Sequence, residues 1–166
     1  MKCIRYCATM PFLIVIILLA ALFLPSRQGH ASPPIDISAE DLQMLQTQAA
    51  QGNTEAQTTL GHLYNNGRGV PQDYTKARQW YEKAAAQGDA GAHFQLGGLY
   101  LGAKDVPRDH VRTYMWWSLA LAHSTGDLSK LAADNRERIA QRITPAQIAE
   151  AKRLAQQGKS QQLNGC

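Results

Sequence analysis

The chain has 166 residues, 45% hydrophobic and 18% charged, a length that suits one domain or a short repeat array. That balance excludes a chain disordered throughout, and Gly 13 excludes collagen-like and glycine-rich fibrous classes. Three cysteines are too few for a disulfide scaffold or a four-cysteine zinc site.

Residues 1–31 read as a secretory signal peptide. Lys2 and Arg5 form a basic start, and the apolar run from Phe12 to Leu24 is shorter than the roughly 20 residues a spanning helix needs. Pro25 ends that run, and Gly29 and Ala31 supply the small-x-small pattern for cleavage after Ala31. An uncleaved inner-membrane anchor over about 8–24 is the alternative. Losing Lys2, Arg5 and Arg27 from 17 basic residues leaves 14 against 13 acidic ones, a net of +1. The basic character therefore belongs to the export signal, and no nucleic-acid partner is expected. Cleavage also removes Cys3 and Cys7. Cys166 is left as a lone thiol, able to form a disulfide only between chains.

After a linker over 32–37, Ser38 with Asp41 three residues on predicts the start of a helix bearing Leu42, Leu45 and Ala49. A period of thirty-six residues follows. Residues 50–85 and 86–121 align with thirteen identical pairs, among them Leu60/Leu96, Gly61/Gly97, Tyr64/Tyr100, Pro71/Pro107, Asp73/Asp109 and Trp80/Trp116. Repetition at this period marks a solenoid. Each unit divides into two helices. In the first unit, Asn53 is the N-cap for a stripe of Ala56, Leu60, Leu63 and Tyr64; the second carries Ala92, Leu96, Leu99 and Tyr100. Gly61 and Gly97 cost about 1 kcal/mol each inside a helix, and close approach of a neighbouring helix backbone is the expected compensation. A Gly/Pro-containing connection leads to Asp73, the cap of a second helix with Ala77, Trp80, Tyr81 and Ala84 as its buried stripe. Gly88 ends it.

No third full repeat exists, because a further step from Leu96 and Gly97 lands on Ala132 and Ala133. Two units need flanking helices to cap them. At the C-terminal side these are a helix over about 127–142 and another begun by the capping box Thr144-Pro145-Ala146-Gln147, its apolar face Ile148, Ala149, Leu154 and Ala155. The capping helices occupy about 127–157 of a domain spanning 38–158, and 159–166 form a flexible tail. The expected fold is all-α: a short α-solenoid of two 36-residue helix-turn-helix repeats, capped at both ends, with about seven helices and no strand.

The pattern A-Q-G…A…L-G-x-L-Y…G-x-G-V-P-x-D-Y-x-K-A…W-Y-x-K-A-A resembles the Sel-1-like repeat family, relatives of tetratricopeptide repeats. The first unit matches nearly throughout. The second departs at Ala103 and Asp105, which replace the loop glycines Gly67 and Gly69, and at Thr113 and Leu121, which replace alanines. A loop of different shape is expected there. The tail from Asp134 to Gln157 is similar to the closing helices of bacterial members.

Chemistry-bearing patterns are scarce. His62, His93, His110 and His123 make no pair at three- or four-residue helical spacing, so no metal site is expected and they read as isolated helix-face histidines. Asn66-Gly67-Arg68-Gly69 lacks the Lys-Ser/Thr of a phosphate loop, and no Gly-x-Ser-x-Gly elbow occurs. No catalytic residue, cofactor or metal is expected, and an enzyme is the weakest reading. Trp80 and Trp116 recur at the repeat period and read as core; Trp117, opposite Tyr81, reads equally as core or as an aromatic platform.

In tetratricopeptide-type folds the first helix of each repeat lines the concave side. That resemblance places Glu55, Thr58, His62 and Asn65 there, followed by Gly91, Phe94, Gly98 and Leu101. Phe94 and Leu101 lie seven apart, with Gly98 leaving a gap, which suggests a shallow apolar groove for a partner side chain. The expected function is an exported, periplasmic or secreted, non-catalytic scaffold that binds a protein or peptide. A binder of envelope glycan or a small ligand, using Trp117, is the alternative.

Overall fold

The computed structural model describes residues 37–164, with side chains described for 37–158. The signal segment, most of the linker and Cys166 lie outside the described residues. Seven helices and no strand make up the described chain: α1 (Ala39–Ala50), α2 (Thr54–Asn66), α3 (Tyr74–Ala86), α4 (Ala90–Gly102), α5 (His110–His123), α6 (Gly126–Ala140) and α7 (Pro145–Asn164). No described helix is long and apolar enough to cross a membrane. Consecutive helices pack on one another from α1 to α6, and α7 returns to lie on α5. The result is a helical-repeat solenoid of two hairpins, α2–α3 and α4–α5, flanked by α1 on one side and by α6 and α7 on the other.

Short polar residues start most of these helices by taking up otherwise orphaned backbone N–H groups. The side chains of Ser38, Asn53, Asp73, Asp89 and Asp109 accept from Asp41, Ala56, Lys76, Ala92 and Arg112 respectively. The capping box of α7 forms as its sequence predicts. Gln147 N–H donates to Thr144 Oγ1 at 3.2 Å, and Thr144 N–H donates to Gln147 Oε1 at 2.9 Å. In α7 the buried residues are Ala151 and Ala155, with Ile148 and Leu154 half-buried. Ala149, assigned above to its apolar face, is exposed, because 148, 151 and 155 follow the three- and four-residue steps of one stripe and 149 lies off it. The helix runs on to Asn164, past the expected end of the domain at 158.

The two interhelical loops differ in path and rejoin at the same point. Gly67 and Gly69 both take left-handed backbone, with φ 66 and 69. In the second loop Ala103 is extended, while Asp105 keeps the left-handed conformation of its glycine counterpart at φ 63. Both loops close with equivalent bonds, Asp73 N–H to Tyr64 O and Asp109 N–H to Tyr100 O, each 2.9 Å.

The mid-helix glycines receive side chains rather than backbone. A Cβ on Gly61 would sit inside the ring of Tyr81, and one on Gly97 inside the indole of Trp117. The expected close approach of a helix backbone is therefore replaced by a ring set into a notch, repeated in both hairpins. This also reorders the aromatic residues. Tyr81 and Trp117 are the buried ones, at 0% and 4% exposure, whereas Trp80 and Trp116 are half-buried and pack against the edges of the core.

Candidate functional site

The first helices of the two hairpins, α2 and α4, carry most of the positions expected to meet a partner. Between the end of α2, the outer face of α4 and the loop after it lies a groove of about 420 Å³. Asn65, Gln95, Gly98, Leu101 and Arg108 contribute to its wall. Gly98 is exposed with nothing within 4 Å of where a Cβ would stand, so the helix leaves a hollow there. Arg108 is exposed at the rim and makes no ion pair among the described residues. The groove thus offers amide hydrogen-bonding groups, an apolar patch and one cation, which is the equipment for holding an extended chain.

Of the residues singled out in the sequence, Asn65, Gly98 and Leu101 meet in this groove. Glu55 is exposed on the first turn of α2, away from the groove wall. Thr58 is half-buried, and its hydroxyl donates to Asp89 Oδ1 at 3.2 Å. His62 is tied to the core: its Nδ1 shares a 3.1 Å hydrogen bond with the Tyr81 hydroxyl, the two rings meeting edge to face at 5.5 Å. Burial lowers the His62 pKa, with the Asp89 carboxylate opposing, and burial raises that of Tyr81. Phe94 is half-buried and stacks on Trp117 at 6.2 Å. The Trp117 indole N–H donates to Phe94 O at 3.1 Å; Trp117 shares a buried cluster with Ile139 of α6 and Ala151 of α7, and Phe94 and Leu101 pack against it. Trp117 therefore stands in the core in this structure and presents no open aromatic face.

Two histidines that the sequence treats as isolated come together. His93 of α4 is completely buried, and its ring lies 5.2 Å from that of His123 at the end of α5. Thirty residues separate them, so helical spacing could not reveal the pair. Among the described residues no group of three or more His, Cys, Asp or Glu is arranged to hold a metal ion.

Comparisons with known proteins agree on the architecture. The family model described as Sel1 repeat matches residues 54–89 and 90–124. A solved structure of a protective antigen of uropathogenic Escherichia coli displaying an SLR fold is 32% identical with a TM-score of 0.66, covering 74% of this chain and 26% of that one. A Sel1 repeat protein from Oxalobacter formigenes is 33% identical with a TM-score of 0.51, covering 56% of this chain and 38% of that one. The chain thus spans about a quarter to two fifths of the length of these two structures. No curated protein matches it.

Proposed function

Because the chain carries two Sel1 repeats, we propose that it is a non-catalytic scaffold that holds a protein or peptide partner in the groove between α2 and α4. Sel1 repeat proteins generally mediate protein–protein interaction and are typically non-catalytic. The observation that supports the reading most is the hollow at Gly98, open beside Asn65, Gln95, Leu101 and Arg108. A groove of this size on rigid helices accepts a few residues of extended chain at small ordering cost to the scaffold. The basic start and thirteen-residue apolar run of residues 1–31 support export, with the partner an envelope or secreted protein.

Filling the hollow tests this directly. Gly98→Trp starts from a Cβ position with nothing within 4 Å and sends its ring into the groove; retained circular dichroism and melting temperature establish that the variant is folded. A tagged wild-type chain should enrich a discrete protein from the envelope fraction of its source, and Gly98→Trp should lose it while keeping its helical circular dichroism. Equal recovery with both baits rejects the groove as the binding surface.

A further inference from the structure

A shift of thirty-six residues places Gln57 on His93 and Gln87 on His123. In the first repeat these two amides stitch the start of α2 to the turn after α3. Gln57 Nε2 donates to Ala49 O at 3.0 Å, and Gln87 Nε2 donates to Gln57 Oε1 at 2.8 Å. The second repeat holds imidazoles at both positions. His93, at 0% exposure, lies 5.7 Å from Trp116 and 5.2 Å from His123, ring to ring. Neither of its nitrogens has a hydrogen-bond partner among the described residues. Trp116 Nε1 and the Oγ of Ser124, the residue after His123, are likewise buried and unpartnered. One joint is linked by groups that do not titrate; its repeat-equivalent is built from groups that do, with His93 buried and His123 exposed.

We propose that the His93–His123 pair is a proton-operated joint, in which acidification charges His93 and opens the packing between the first turn of α4 and the last turn of α5. The amide-linked joint of the first repeat stays closed. An imidazolium at His93 carries two N–H donors and a full charge into a buried site where neither ring nitrogen has a partner among the described residues, so charging it favours the open joint. His123 faces it from α5, and its positive form repels a second charge. Asp89, the cap of α4, is the carboxylate that acts on His93, but its Oδ1 is already engaged by the Ala92 N–H and the Thr58 hydroxyl. Glu82 of α3 lines the cleft beside Trp116 and is paired with Arg78, and Arg136 of α6 lies over the Tyr114 ring.

Burial first and His123 second hold the His93 pKa down to about 4 from 6.5, against the pull of Asp89. A depressed histidine pKa means that the closed joint binds fewer protons than the open one. Its stability is complete above pH 6.5 and is lost as the pH falls toward 4. Between pH 7 and pH 5 the opening equilibrium rises about 20-fold by this linkage. Gln95 and Gly98, on the next turns of the same helix, line the groove, so a proton taken up at His93 disturbs the groove wall from behind.

Hydrogen exchange of the full chain at pH 7 and pH 5, corrected for intrinsic rates, tests the joint against the variant His93→Gln/His123→Gln, which restores the first repeat's chemistry. In the wild type, opening of the first turn of α4 and the last turn of α5 should rise about 20-fold, with α2 and α3 unchanged. The variant should show no local rise. Equal rises in the two proteins, or a rise spread evenly over both repeats, overturn the proposal. Should the variant not fold, the His93 imidazole in the wild type is followed by NMR. A midpoint near 4 supports the joint, and one at or above the ordinary histidine value of about 6.5 overturns it.

Discussion

Replacing Gly97 by alanine separates helix propensity from packing. Taken alone, Gly→Ala in a helix interior gains about 1 kcal/mol. At Gly97 the added methyl enters the space held by the Trp117 indole, a ring that is 4% exposed and fixed by its N–H bond to Phe94 O. Overpacking of this kind costs about 1–3 kcal/mol, and displacement of the indole forfeits about 1 kcal/mol more from the hydrogen bond. The net effect is a loss of about 1–3 kcal/mol, or roughly 4–12 °C in melting temperature for a domain of this size. Gly98, one residue on, is the internal control. It lies in the same helix with nothing near its Cβ position, so Gly98→Ala keeps the propensity gain and stabilises by up to about 1 kcal/mol. Thermal and urea unfolding followed by circular dichroism measure both, and tryptophan fluorescence reports whether the indole has moved. Should Gly97→Ala stabilise as much as Gly98→Ala, the ring-in-notch account of this repeat is wrong.

Asp109→Ala removes the side chain that accepts from Arg112 N–H and should cost about 1 kcal/mol in urea unfolding; Asp109→Asn should cost a few tenths at most. Phe94→Asp places a carboxylate against Trp117 and Ile139, and a loss of roughly 3 kcal/mol or more in the same assay is expected, which makes it a test of the core and not of the groove. Gln57→His with Gln87→His copies the second repeat's joint into the first. The melting temperature of that variant should fall more steeply than that of the wild type between pH 7 and pH 5, and parallel curves would show that the imidazole pair is not what confers acid sensitivity.

Much of the fold was legible because its determinants are local. Asn53, Asp73 and the Thr144–Gln147 box announce helix starts through side-chain chemistry that acts over three residues, and all three form. The thirty-six-residue period fixed which helices pair, since a repeat unit buries its apolar stripe only against its neighbour. Contacts between helices were harder to read. That Gly61 and Gly97 admit a ring depends on the rotation of α3 and α5 about their axes, which decides between Trp80 and Tyr81, and between Trp116 and Trp117, for the interior. Phe94 and Leu101 share a helix face, as their spacing requires, and both pack half-buried against the cluster around Trp117, but only Leu101 also lines the groove. The His93–His123 pair had a signal that spacing along one helix misses: the repeat register maps it onto Gln57 and Gln87, a contact visible only once one member of the series is seen in space.

If the partner binds in the groove beside Gly98, a side chain at that position touches it. A photoreactive residue placed at position 98 in the full chain, with a second variant carrying it at the exposed Lys130 of α6, reports this with the fold intact. Irradiation in the native envelope should yield a discrete crosslinked product from position 98, suppressed by excess unlabelled wild type and absent from position 130. The same product from both positions, or none from position 98 while the chain is folded, would show that the groove is not the binding surface.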